Sequence, residues 1–204
     1  MLERLREAIL SGALPPGSKL VEADLADRFG TSRGPIREAV RELVREGLIV
    51  EFDRRGNVVS TLDARDLAEV YGVREALETS AAELVIERAD DASLAQLDTC
   101  LKAFETSGGD FLERSVHDLA FHRSVVALTG NKRMAAINEQ MLTQTALLLR
   151  TAAAASPTLQ SGIRPSAHRD ILAALKQHDA EGARAAIAAH YRYAEERLFP
   201  GLAQ

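Results

Sequence analysis

The sequence of 204 residues contains a single cysteine, Cys100, and therefore cannot form a disulfide bond within the chain. Disulfides persist in oxidising compartments, so this lack is consistent with the reducing cytoplasm. The sequence also lacks the pattern of a secretory signal peptide, an apolar run long enough to cross a bilayer, an internal repeat and a low-complexity tail. We therefore expect a cytoplasmic protein that has no membrane segment.

The sequence also has fewer basic than acidic residues: 25 lysines and arginines against 30 aspartates and glutamates, which gives a formal net charge of −5. This balance argues against nucleic-acid binding only if the charges are spread evenly, since a local group of arginines is enough to bind DNA. The chain is long enough for a small domain followed by a larger helical domain with its own core.

A local group of arginines occurs in EADLADRFGTSRGPIREAVRELVREG, residues 22–47. The first part has the apolar spacing of a short helix, and Gly30 suits the left-handed conformation in which helices commonly end. A second helix is expected directly afterwards, with Ser32 accepting from its free backbone N–H groups and Pro35 in its first turn. This is the pattern of a helix-turn-helix.

The second helix has an apolar face for the core, and Arg33, Arg37 and Arg41 lie together on a different, solvated face. Such a helix can enter the major groove of DNA, where arginine binds phosphates or guanine. Ser32 and the helix N-terminus can bind a phosphate. The alternative is an ordinary solvated helix, because glutamates three and four residues away can pair with the arginines.

The residues after Gly47 favour the DNA interpretation. The run LIVEF predicts a strand, DRRGN a tight turn in which Gly56 and Asn57 can take positive φ, and VVST a returning strand. A strand, a basic turn and a second strand directly after an arginine-lined helix are typical of the wing of a winged helix. Arg54 and Arg55 would lie at the tip of this wing.

Residues 1–60, and above all PPGSKLVEADLADRFGTSRGPIREAVRELVREGLI, resemble the N-terminal domain of the GntR family of bacterial transcription regulators. The resemblance implies a winged helix-turn-helix that binds double-stranded operator DNA. The residues implied to contact DNA are Glu22, Ser32, Arg33, Pro35, Arg37 and Gly56. The arginine face and the wing tip add Arg41 and Arg55. Gly34 stands where a side chain would otherwise reach the DNA.

Residues 61–204 predict an all-helical domain that begins near residues 60–63. The expected helices lie near residues 63–89, 91–106, 110–129, 131–155, 165–178 and 179–198. Asp110, Asn131 and Asp179 stand at expected N-caps. Six helices in so short a stretch imply an antiparallel bundle. The predicted fold is thus mainly α, with a winged helix-turn-helix before an antiparallel six-helix bundle.

Four residues of the bundle have the chemistry of metal ligands. Asp118 and His122 lie four residues apart, which places a carboxylate and an imidazole on one face of a helix. His168 and His190 lie on two helices that should be antiparallel neighbours, so their side chains can approach each other. The alternatives are an Asp–His hydrogen bond on a helix surface and histidines that belong to the core.

The pattern D-x-x-F-H, L-T-G-N, H-x-x-I-L-x-A-L and D-x-x-x-A-x-x-A-x-x-x-H is similar to the FCD ligand-binding domain of the FadR subfamily of GntR regulators. It covers most of residues 63–198. The resemblance implies a divalent cation bound by Asp118, His122, His168 and His190 at the floor of an effector pocket. Three imidazoles and one carboxylate suit Zn²⁺, Ni²⁺ or another first-row metal, and such a site can leave coordination positions open for an organic acid.

Arg74 matches an arginine on the family's first helix that commonly faces the pocket, which implies pairing with a carboxylate of the effector. The alternative is an exposed ion pair between Arg74 and Glu78, four residues later. Tyr71 and Tyr191 are candidate wall residues of the pocket, although aromatics at helical spacing are more often plain core.

These observations predict a metabolite-responsive DNA-binding regulator, a type that most often acts as a repressor in this family. A homodimer would place its two winged helices on successive half-sites of the operator. A small carboxylate bound by the metal and Arg74 would favour one arrangement of the dimer.

Two alternatives remain. In one the metal itself is the signal, without an organic effector. In the other the chain is a metal-dependent enzyme of the helical-bundle type, although the Glu-x-x-His pairs of di-metal carboxylate bundles are missing. The segment TAAAASPTLQSGIRPS would either cover the pocket or only connect two helices.

Overall fold

The computed structural model describes residues 1–155 and 165–198. Its N-terminal part contains α1 (Leu2–Leu10), β1 (Lys19–Leu20), α2 (Glu22–Phe29), α3 (Arg33–Arg45), β2 (Ile49–Phe52) and β3 (Gly56–Val59). Its C-terminal part contains α4 (Ala64–Arg88), α5 (Asp91–Thr106), α6 (Phe111–Ala127), α7 (Lys132–Ala155), α8 (Pro165–Lys176) and α9 (Ala180–Leu198). The mainly α fold, with a small winged-helix part before a helical bundle, is confirmed.

The N-terminal part is built on α3, whose apolar face contains Ile36 and Leu43, both fully buried. The sheet has the order β1-β3-β2, with β3 antiparallel to both neighbours. Ile49 of β2 lies opposite Val59 of β3, and both side chains point into the core. The sequence analysis did not predict β1, because a strand of two residues is too short to show an alternating pattern.

Local conformations at the helix-turn-helix and the wing agree with expectation at two residues and differ at two. Gly30 ends α2 in the left-handed region, with φ of 63°. Ser32 is the N-cap of α3, but its side chain makes no hydrogen bond to the helix. One reason is that an N-cap side chain bonds to the second or third N–H of a helix, and the third residue here is Pro35, which has none. In the wing, Gly56 takes a positive φ of 72°, whereas Asn57 does not.

The helices of the C-terminal part begin where their polar caps predict. Asp110 accepts from the backbone N–H of Glu113 at 3.0 Å, and Asn131 accepts from that of Arg133 at 3.0 Å. Asp179 accepts from the N–H of Gly182 at 2.9 Å. In the resulting bundle α4 packs against α6, α7, α8 and α9. The core is aliphatic with a few aromatic rings, and several buried polar and charged side chains lie within it.

Helix α7 contacts both parts of the protein. Its Leu147 is completely buried in the N-terminal core. On the same side of α7, the Gln144 side chain donates to the Glu46 carbonyl at 2.8 Å, and Arg150 Nε donates to the Leu10 carbonyl at 2.6 Å. A helix of the bundle thus completes the core of the winged helix, and the division of the chain at residue 60 stays a prediction.

None of the helices in residues 1–155 and 165–198 combines the length and the apolar character that crossing a bilayer requires. The segment predicted either to cover the pocket or to connect two helices falls mainly on residues 156–164, which lie outside the described residues.

Candidate functional site

The predicted DNA-binding face is formed by α3 and the wing. Arg33, Arg37 and Arg41 are all exposed on α3, as their spacing predicts. Arg54 and Arg55 are exposed in the turn between β2 and β3. Exposed arginines on a recognition helix and on the turn of a wing are what binding in a DNA groove requires, and DNA contact by these residues stays a prediction.

Arg37 is held in place by Glu22 at the start of α2. Its Nη2 lies 3.1 Å from Glu22 Oε2, and the Arg37 side chain remains 55% exposed. The hydrogen bond and the charge of Glu22 raise the pKa of Arg37. Arg37 and Glu22, both predicted to contact DNA, are therefore partners of each other. The sequence analysis considered pairing of Arg37 with glutamates of α3, but this partner comes from α2.

The second group of predicted residues comes together inside the helical bundle. Helix α6 provides Asp118 and His122, α8 provides His168, and α9 provides His190. The turn at His178, where φ is 53°, connects α8 to α9. The centres of the His168 and His190 rings lie 4.7 Å apart. Each of the four side chains offers a ligand atom, and these atoms all lie within 4.8 Å of one another.

Two of the distances between these atoms match the spacing of ligands on one metal ion. His122 Nε2 lies 3.2 Å from His168 Nε2, which in turn lies 3.0 Å from Asp118 Oδ1. Two ligand atoms at about 2.0–2.1 Å from one zinc ion are roughly 2.9–3.4 Å apart for octahedral to tetrahedral bond angles. All four side chains are buried. The donor set and its spacing therefore suit a divalent first-row metal.

The protonation states of two members of this cluster also suit a metal. Burial alone would raise the pKa of Asp118, but a hydrogen bond from His168 and the nearby histidine charges lower it well below its ordinary value. Burial lowers the pKa of His190 well below its ordinary value, and His122 and His168 add to this effect. An ionised carboxylate and a neutral imidazole are the forms that bind a metal.

Arg74 lies beside the cluster and is almost completely buried, with 1% of its side chain exposed. Its Nη2 contacts Glu78 Oε1 at 3.2 Å, and its Nη1 donates to Thr145 Oγ1 at 3.3 Å. Its Nε has no hydrogen-bond partner among the described residues. The Arg74–Glu78 pair considered in the sequence analysis therefore exists, but it is a buried pair within the bundle and not an exposed one.

Tyr71 and Tyr191 lie next to this arginine. Their rings meet edge to face at 5.2 Å, and the Arg74 guanidinium carbon lies 5.2 Å from the centre of the Tyr191 ring. Burial raises the pKa of Tyr191 well above its ordinary value, so its hydroxyl keeps its proton and donates to Glu78 Oε1 at 2.6 Å. Both tyrosines are buried, and their role as pocket walls stays a prediction.

The sequence analysis missed two residues of this site. Glu78 was considered only as a surface partner of Arg74, yet its Oε2 lies 2.6 Å from His122 Nδ1. The i, i+4 spacing from Arg74 was the available signal, but nothing local relates Glu78 to a histidine 44 positions later. Thr145 on α7 had no sequence signal at all.

Comparisons with known proteins agree with both halves of this description. Residues 2–59 match the family model described as bacterial regulatory proteins, gntR family, and residues 69–193 match the model of the FCD domain. The chain is 32% identical over 201 residues to YdhC, an HTH-type transcriptional regulator of Bacillus subtilis, and the match covers 96% of this chain and 88% of that protein.

A further relative and a solved structure support the same assignment. The gluconate operon transcriptional repressor of Bacillus licheniformis is 36% identical over 124 residues, which cover 60% of this chain and 51% of the repressor. The structure of McbR/YncC of Escherichia coli superposes with a TM-score of 0.74 at 26% identity and covers 94% of this chain and 91% of that one. The chain therefore belongs to the gntR family of bacterial regulatory proteins and carries an FCD domain after its winged helix-turn-helix.

Proposed function

We propose that this transcriptional regulator binds operator DNA as a homodimer, and that a divalent metal and a small organic acid bound in the helical bundle control this binding. The observation that carries the proposal is the cluster of Asp118, His122, His168 and His190, whose donor atoms come from three helices and have the spacing of metal ligands. The family and the relatives compared are transcriptional regulators and not enzymes.

The four residues of the cluster would hold the metal, for which Zn²⁺ and Ni²⁺ remain the leading candidates. When bound, the metal supplies positive charge and open coordination positions for the oxygens of a ligand. The Phe104 and Phe121 rings pack edge to face against the His168 ring, each at 5.0 Å between ring centres, and give the cluster an apolar side.

The charges in the bundle support an anionic effector. Glu78 is ionised and Asp118 is ionised, whereas Arg74 supplies one positive charge. Imidazoles that bind a metal are neutral, so the two carboxylates, Arg74 and a divalent cation together have one positive charge in excess. A single carboxylate would then neutralise the interior, where uncompensated charge is costly. The Nε of Arg74 would be a donor for this carboxylate.

Operator binding by a dimer would use the geometry that is typical of winged helices. Two copies of α3 would enter successive turns of the major groove, about 34–36 Å apart. An effector changes the amount of bound DNA only if it binds one arrangement of the dimer better than the other. Several relatives are named repressors, including GlaR of Escherichia coli, which supports repression as the mode of action. Assignment to the FadR subfamily and a cytoplasmic location remain expectations.

The metal assignment is tested by measuring the metal content of the purified protein. We expect one first-row metal ion per chain in the wild type and in His117→Ala, because His117 lies outside the cluster. His122→Ala and His190→Ala should both lose the ion, since each removes a ligand. Stoichiometric metal in these two variants would show that the site assignment is wrong.

A second candidate function is regulation by the metal alone. The observation that favours it is that Arg74 already has Glu78 and Thr145 as partners, so part of its hydrogen-bonding capacity is used inside the protein. The two functions separate in a binding titration with an operator selected from random DNA. If the organic-acid proposal holds, adding acids such as gluconate to the metal-loaded protein changes operator affinity. If chelation changes it and no acid does, the metal is the signal.

A further inference from the structure

Glu78 occupies the centre of the buried polar network and lies outside the four residues proposed to hold the metal. Its side chain is 2% exposed. Oε2 lies 2.6 Å from His122 Nδ1, while Oε1 accepts from the Tyr191 hydroxyl at 2.6 Å and from Arg74 Nη2 at 3.2 Å. Three groups from three helices therefore converge on a single carboxylate.

The carboxylate must be ionised in this environment. The Arg74 guanidinium, whose Nη2 lies 3.2 Å from Oε1, and the Tyr191 hydroxyl, which donates to the same oxygen, stabilise the charged form of this carboxylate. An ionised carboxylate can only accept hydrogen bonds. The short contact to His122 therefore requires a proton on Nδ1, and in a neutral ring the lone pair is then on Nε2.

The lone pair on Nε2 is the one that the cluster needs. His122 Nε2 is the ring nitrogen that lies 3.2 Å from His168 Nε2 and 3.9 Å from Asp118 Oδ2. A histidine that binds a metal through one nitrogen commonly donates its other N–H to a carboxylate, which sets the tautomer and the orientation of the ring. Glu78 and His122 have this arrangement.

We propose that Glu78 is a positioning residue of the cluster: its Oε2 holds His122 with Nδ1 protonated and Nε2 facing the other ligands, while its Oε1 holds Arg74. This inference rests on the proposed metal site. Glu78 does not bind the metal itself but acts through His122. Because the same carboxylate holds Arg74, the orientation of a ligand histidine and that of the proposed acid-binding arginine depend on one side chain.

The tautomer of His122 tests this role directly in the metal-free wild-type protein. Nitrogen-15 NMR of histidine-labelled protein distinguishes a ring protonated on Nδ1 from one protonated on Nε2, and the His122 signal is assigned by its loss in His122→Ala. We expect His122 to be protonated on Nδ1. A His122 ring protonated only on Nε2 would overturn the proposal, whatever the metal content of the protein.

The effect on the metal is tested with Glu78→Gln, which keeps the size of the side chain and one acceptor oxygen but removes the charge. Loss of a carboxylate behind a metal-binding histidine typically costs about 10–100-fold in metal affinity. We expect a Zn²⁺ affinity lower by roughly this factor in competition with a chromophoric chelator. The matched control is Glu83→Gln on the same helix, where Glu83 pairs with Arg184 at the surface.

The outcomes separate the two proposals. Wild-type Zn²⁺ affinity in a folded Glu78→Gln variant would overturn the positioning role. If the variant does not fold, the tautomer of His122 in the wild type still decides. If the wild type does not bind Zn²⁺ although His122 is protonated on Nδ1, the metal site of the proposed function is wrong, while the contact between Glu78 and His122 stands.

Discussion

At the scale of single residues, burial and neighbouring charges shift the pKa values of ionisable side chains inside the bundle. His190 is buried as a neutral imidazole, with its pKa well below its ordinary value of 6.5, and Asp118 is buried as a carboxylate. These forms are the ones that a metal binds. Folding of the metal-free protein therefore costs free energy at a pH where the unfolded His190 is protonated, because the folded protein holds His190 neutral.

This cost makes the stability of the metal-free protein depend on pH. Below about pH 6.5, an unfolded His190 binds a proton that the folded protein excludes, so stability is lost as the pH falls through this value. We expect the free energy of unfolding in urea, measured with a chelator present, to fall between about pH 7.5 and 5.5. His190→Gln should show a smaller fall, and His117→Gln the wild-type fall. An equal fall in wild type and His190→Gln would contradict this explanation.

At the scale of elements, α7 connects the candidate site to the recognition helix α3. Thr145 accepts from Arg74 on one side of α7, and the neighbouring Gln144 donates to the Glu46 carbonyl at the C-cap of α3. Leu147, less than one turn later, is buried in the winged-helix core. A movement of α7 therefore changes contacts at the Arg74 site and at the end of α3 together.

Gln144→Ala tests the contact between α7 and α3. The Glu46 carbonyl would lose its side-chain donor, and a hydrogen bond of this kind is worth about 0.5–1.5 kcal/mol. We expect hydrogen–deuterium exchange by mass spectrometry to speed up in peptides covering residues 42–48, with little change in α8 and α9. Gln96→Ala, at an exposed position of α5, is the control and should leave residues 42–48 unchanged. Unchanged exchange in Gln144→Ala would show that the contact does not stabilise α3.

At the scale of the whole molecule, a net charge of −5 coexists with a predicted DNA-binding face of arginines. Interactions between exposed charges fade beyond roughly 8 Å at physiological salt, so a DNA phosphate responds to the nearby arginines more than to the distant acidic residues. This explains how an acidic protein can bind DNA.

Two arginine variants test this explanation, because each lowers the net charge by one unit. Arg41 lies on the predicted DNA-binding face of α3, whereas Arg184 lies on the outer surface of α9. If Arg41 contacts a phosphate, Arg41→Ala should weaken binding to the selected operator and reduce the slope of log affinity against log salt by about 1. Arg184→Ala should change neither quantity. Equal effects of both variants would show that net charge, and not the local arginine face, governs binding.

The part of this fold that could be predicted from the sequence depends on local interactions. Helices α6 and α9 begin after Asp110 and Asp179, which accept hydrogen bonds from backbone N–H groups three residues later. Gly30 ends α2 in the left-handed conformation, which glycine adopts readily because it has no Cβ atom. The short strand β1 could not be predicted, since it exists only through pairing with β3, some 38 residues later.

By itself, the sequence determined the helices, the wing and the types of residue available for a site, because periodicity, caps and turns act over a few positions along the chain. Only the tertiary structure decided that four residues from α6, α8 and α9 bring their ligand atoms within 4.8 Å of one another. It also decided that Arg74 and Glu78 are buried partners, and that Glu78 reaches His122. The reason is physical: whether a charged pair is exposed or buried depends on which helices pack around it, and this packing is not encoded in the spacing of the pair.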